Sequence, residues 1–160
     1  LWRRKQLEFT LLARATMAVI GGSGLWVASA ALGIPIVQTN VYVAPSNCTL
    51  RRRDLWIPQL LYSERLGRYL TLPEMFDRPW RFAMESSCRE LGIRRETNLA
   101  EDVYEVVTEM WLKLHGQWHP PSDSVELVES ARSLQVKSEY PQYVGTLGSA
   151  FAVKYQNLLF

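Results

Sequence analysis

The chain is poor in the residues from which most metal sites and nucleophilic active sites are built, with two histidines and two cysteines in 160 residues. His115 and His119 have i, i+4 spacing, but a working pair of that kind must lie on a continuing helix and needs one or two further ligands. Gly116 and Pro120 interrupt the helix, so both are read as structural or surface histidines and no metal is expected. Cys48 and Cys88 could pair in an oxidising compartment or stay as free buried thiols, and two thiols make no disulfide framework. No G-x-S-x-G turn, phosphate loop or dinucleotide fingerprint occurs, and the glycine cluster Gly21-Gly22-x-Gly24 lacks the strand, lysine and acidic partners such motifs need. Repeats and low-complexity tracts are missing too. These absences lead to the expectation of a non-catalytic protein with no cofactor and no small-molecule substrate.

Charge is the next thing missing. Not one charged residue occurs from Ala15 to Leu50. The first part of that stretch, Ala15–Val37, would reach about 35 Å as a helix, against a hydrocarbon core of about 30 Å. It is read as a single transmembrane helix. A basic flank over residues 1–14 (Arg3, Arg4, Lys5 and Arg14 against Glu8) precedes it, and Pro35 marks its exit. The rival reading is a secretory signal, with Ala28-Ser29-Ala30 as a cleavage-like site. Retention of the segment in the folded chain favours an uncleaved anchor. The basic flank places the N-terminus in the matrix or cytoplasm and the large domain on the opposite side.

Small residues crowd this segment. Ala18/Gly22, Gly24/Ala28 and Ser29/Gly33 each have the small-xxx-small spacing that lets a second helix approach closely. These six are the candidate helix-packing residues. Arg51, Arg52 and Arg53 follow the uncharged stretch and are candidate contacts for anionic lipid head groups. Asn47-Cys48-Thr49 matches the glycosylation triplet, which matters only in a secretory lumen.

Beyond the flank, 14 basic residues face 15 acidic ones, a balance with no electrostatic footprint for nucleic acid. Residues 38–57 read as an extended exit segment and 58–160 as a helical domain, with few strands. Asp54–Tyr69 is expected to be a short helical stretch that Leu72-Pro73 breaks, and Asp77 to cap a helix that runs from near Pro79 to Gly92. Leu99–His115 is the clearest helix, with Val103, Val106, Val107, Met110, Trp111 and Leu114 on one stripe and the carboxylates of Glu101–Glu109 on a solvated face. Ser124–Leu134 follows, with Asp123 and Glu126 in capping-box spacing. After Pro141, Val144, Leu147, Phe151, Tyr155 and Leu158 share a stripe that must meet protein or lie in an interface. The expected fold class is mainly α: one N-terminal transmembrane helix, then a small, loop-rich, extended helical domain.

Six tryptophans, seven tyrosines and eight prolines are spread along the chain, as in a polypeptide that drapes over partners. With the small-residue span, this layout resembles the single-span accessory subunits of mitochondrial inner-membrane respiratory complexes, those of complex I above all. The resemblance implies a non-catalytic accessory subunit of the respiratory chain in the mitochondrial inner membrane. Its partners would be other subunits of the complex and phospholipid. A membrane-region subunit of ATP synthase is the alternative in the same location. A single-span secretory-pathway or plasma-membrane binding protein is the alternative of another class.

Overall fold

The computed structural model of the chain describes residues 2–42, 51–77, 84–138, 141 and 144–159. In chain order the elements are α1 (Trp2–Ala13), β1 (Ala18–Ile20), α2 (Leu25–Ala31), β2 (Ile36–Val41), β3 (Leu55–Pro58), β4 (Leu60–Ser63) and β5 (Arg68–Tyr69). They continue with α3 (Leu72–Asp77), α4 (Glu85–Glu90), β6 (Ile93–Glu96), α5 (Ala100–Leu114), α6 (Ser124–Lys137), β7 (Thr146–Leu147) and α7 (Ser149–Lys154). The fold is mixed α/β, which corrects the expectation of a mainly α chain.

The expected span is the largest correction. Ala15–Val37 is not one helix but a strand, a glycine-rich turn, a two-turn helix and the start of a second strand. Among the described residues no helix is long and apolar enough to cross a membrane. Three glycines in the four positions Gly21–Gly24 each cost a helix about 1 kcal/mol. Around them, Val19, Ile20, Ile36 and Val37 are β-branched and suit a strand. Strands of a parallel sheet are covered on both faces and so read as unbroken apolar runs, the same signal that a membrane helix gives. The single-pass inner-membrane placement, and the matrix-to-intermembrane-space orientation with it, falls with the span.

β1, β2, β3 and β7 form a parallel sheet in that order, with Ala18 beside Ile36 and Val37 beside Leu55. β1, α2 and β2 make a βαβ unit. One face of the sheet carries Val37, Leu55 and Ile57 into the main core against Val106 and Met110 of α5 and Phe151 and Ala152 of α7. On the other side Ala18, Ile20, Ile34 and Ile36 form a smaller cluster, covered by Trp26 and Ala30 of α2 and by Leu12 and Ala15. Asp54, fully buried, ties β2 to β3. It accepts the Ile36 N–H at 3.0 Å and two N–H groups of Arg51, at 2.8 and 3.0 Å.

The stretch expected to be helical over Asp54–Tyr69 is instead β3 and the hairpin β4–β5. Its alternation of Leu60, Leu61, Tyr62 and Tyr69 serves a second, antiparallel sheet in the order β5-β4-β6. Leu72-Pro73 opens α3 rather than breaking a helix, since proline fits the first helical turn. The helix expected from near Pro79 begins at Glu85, with residues 78–83 outside the described residues, and ends before Gly92, whose φ is +64°. α5 follows the expected bounds closely, and Gly116 at φ +66° terminates it.

The carboxylates of α5 do not all face solvent. Asp102 is buried against Lys154 and the Tyr155 hydroxyl, and Glu109 is buried against Lys113 and the N–H and hydroxyl of Ser149. Both carboxylates staple α5 to α7. Asp123 makes no side-chain cap to α6; instead Ser124 Oγ donates to the Pro121 carbonyl at 2.7 Å. The C-terminal stripe meets protein, with Leu147, Phe151 and Leu158 buried in the main core.

Candidate functional site

In an open α/β sheet, ligands bind outside the carboxyl ends of the parallel strands, where the loops leave a crevice. That end of this sheet holds an open cleft of about 460 Å³. Its lining is Gly21, Gly22 and Ser23 after β1, Asn40 and Tyr42 at the end of β2, Gln59 between β3 and β4, and Glu85 and Arg95 from α4 and β6. The parallel sheet thus builds one wall and the antiparallel sheet with α4 builds the other.

The glycine turn is open on its cleft side. A Cβ placed on Gly21 would meet nothing within 4 Å, and its φ is not in the left-handed region. Among the described residues, neither backbone conformation nor packing requires glycine there. Gly22 is different: a Cβ there would lie 2.6 Å from Tyr42 Cε1. The Tyr42 ring rests against the turn, and the Arg95 guanidinium lies 5.2 Å from the centre of that ring.

Arg95 projects from β6 and donates to Glu85 through Nε at 3.1 Å and through Nη2. The arginine side chain is largely covered while the glutamate is mostly exposed, so solvent screens the pair. Gln59 Oε1 is buried and accepts no hydrogen bond among the described residues.

Asn40 fixes how the two walls meet. It holds φ at +54°, a conformation asparagine tolerates better than most residues, where β2 slips register against β3. Asn98, between β6 and α5, holds it there. The Asn40 N–H donates to Asn98 Oδ1 at 2.6 Å, and the Asn98 N–H donates to Asn40 Oδ1 at 2.8 Å. Asn98 Nδ2 donates to the Pro58 carbonyl at 2.6 Å, closing a three-bond clamp between the sheets.

The six helix-packing candidates do not share a helix. Ala18 is in β1, Gly22 and Gly24 are in the turn, Ala28 and Ser29 are in α2, and Gly33 follows α2 at φ +74°. Of the six, Gly22 reaches the cleft. The arginine triplet divides. Arg51 is committed to Asp54 and to the carbonyls of Ala30 and Ile34, Arg53 donates to the Gly33 carbonyl at 2.6 Å, and Arg52 is exposed. His115 Nδ1 lies 2.8 Å from the Trp111 carbonyl and His119 is exposed, both on the α5 side of the molecule. Cys88 is buried in α4, while Cys48 and the Asn47-Cys48-Thr49 triplet lie outside the described residues.

Sequence reading had the glycine cluster but placed it inside a membrane. The missing signal was the flanking Val19-Ile20 and Ile36-Val37, which make it a strand–turn–helix–strand unit. Asn98, Gln59, Glu85 and Arg95 gave no signal, because the tertiary fold alone brings them to the turn. The chain is an α/β protein with an open cleft at the carboxyl edge of its parallel sheet. The chain matches no protein-family model, and no curated protein or solved structure is significantly similar to it. The respiratory-chain and mitochondrial assignments therefore lose both supports, since the span is absent and no relative supplies them.

Proposed function

We propose that this chain is a binding domain for a small phosphate-bearing molecule, held in the cleft between the two sheets. The observation that carries the reading is the Gly21-Gly22-Ser23 turn, open at Gly21, facing Arg95 across that cleft. A glycine turn lets an anion approach the main chain closely, here at Gly21 and Gly22, since the Ser23 N–H donates to the Gly21 carbonyl at 2.7 Å. A guanidinium fork suits phosphate geometry better than a point charge would. The cleft volume falls in the range of about 300–1,000 Å³ usual for small-molecule sites. Glu85, mostly exposed, adds an acceptor for hydroxyl or N–H groups elsewhere on the ligand.

The accessory-subunit expectation took its membrane and its organelle from the span. With the span absent, no observation favours that role over ligand binding, and the cleft carries the proposal instead.

Calorimetric titration with inorganic pyrophosphate and with a nucleoside diphosphate tests it, with the unphosphorylated nucleoside as control. Binding of the phosphorylated probes alone is expected, weakened about tenfold or more by Arg95→Gln, the usual scale for a charge-assisted hydrogen-bond pair. Equal heats for wild type and Arg95→Gln, or no heat with any probe, would count against the reading.

A further inference from the structure

Away from the cleft, α2 presents an uncharged outer face. Leu25, Val27 and Leu32 of α2 and its end are about half exposed. A helix apolar on its outer as well as its inner side is one that something covers. Arg53, bonded to the Gly33 carbonyl, puts a basic group at the Leu32 end of this face. The first 53 residues carry seven basic side chains against one acidic, Glu8, while the rest of the chain carries 11 against 15. Arg14, at the end of α1, and Arg52 and Arg53, before β3, are exposed, and Arg53 bonds the carbonyl of Gly33, next to Leu32.

The position of these groups follows from the βαβ topology. In a parallel unit the helix runs antiparallel to its strands, so its end and the starts of β1, β2 and β3 share one edge of the sheet. Leu32, Arg14, Arg52 and Arg53 sit at that edge, and the glycine cleft opens at the opposite one. A second copy docking through the same surface would set basic rim against basic rim, which like-charge repulsion disfavours. An uncharged centre with a basic border matches instead the layering of an anionic bilayer, acyl chains beneath a sheet of phosphates.

We infer that this face rests on an anionic membrane surface, lying on the bilayer rather than through it and leaving the cleft open to the aqueous side. Co-sedimentation of the whole chain with phosphatidylcholine vesicles, with and without phosphatidylserine, tests this. Binding to the phosphatidylserine vesicles alone is expected, and high salt should weaken it. The charge reversals Arg14→Glu and Arg53→Glu together should weaken it more than about tenfold, since each basic residue near such a surface contributes several-fold. Leu32→Glu should weaken it as well while leaving the far-ultraviolet spectrum and thermal midpoint unchanged, because the side chain is half exposed. Failure to bind either vesicle, or equal binding to both, would overturn the inference. So would a dimer in light scattering that Leu32→Glu dissolves, which would assign the face to a protein partner.

Discussion

The two sheets of this chain differ in how much of each is buried. In the parallel sheet Ile36, Val37, Leu55, Trp56 and Ile57 are wholly buried, and its one buried carboxylate, Asp54, is saturated by three hydrogen bonds. The antiparallel sheet also buries Leu60 and Leu61 of β4 in the main core, but it carries ion pairs at its surface: Arg94 to Glu96 within β6, Arg95 of β6 to Glu85 of α4, and Arg68 of β5 to Glu74 of α3. Burial in a close-packed interior gives a floor that resists deformation. Exposed ion pairs contribute little each and can exchange partners at small cost. The difference meets at the cleft, with the glycine turn after β1 on one side and the ion-paired Arg95 on the other. Asn98 is what keeps the two sides in register.

Removing Asp54 should do the most damage. Asp54→Ala leaves the Ile36 N–H without its acceptor and strips Arg51 of its counter-ion in a mostly covered site. A loss of about 3 kcal/mol is expected in urea unfolding. A loss within experimental error would break the contrast between the sheets. Asn98→Ala comes next, at about 2 kcal/mol for the lost bonds to Asn40 and Pro58. It should also weaken pyrophosphate binding, whereas a purely structural clamp would leave affinity in the folded fraction unchanged.

The smallest effect belongs to the antiparallel side. Hydrogen bonds from the Arg68 guanidinium, with smaller help from Thr71, hold the Glu74 carboxyl at about 2, well below the usual carboxylate range. Because the folded value is the lower one, the contribution is present in full above the ordinary range and fades as pH falls towards 2. Both side chains are substantially exposed, so screening keeps it under about 1 kcal/mol. Glu74→Gln should therefore cost a little stability at neutral pH and converge with wild type in acid. A gap that persists in strong acid would mean that Glu74 acts by packing rather than by charge.

Legibility in the sequence followed locality. α5 was plain because its stripe, its early acids and Gly116 all lie within one short stretch. The parallel sheet was not, since a buried strand and a membrane helix share the same apolar signature and only the turn chemistry of Gly21–Gly24 separates them. Asp102 and Glu109 looked like a solvated face because their partners Lys154 and Ser149 lie 40 or more positions away. For the same reason the cleft was invisible apart from its glycines: Arg95 meets Tyr42 and the turn only after both sheets have formed.

The most direct test of the central claim is an amide-resolved NMR titration of the chain with inorganic pyrophosphate. The account predicts saturable shifts concentrated on Gly21, Gly22, Ser23 and Arg95, with the α5 and α7 amides unmoved. Saturable shifts that spare the glycine turn, or no shifts at all, would contradict it.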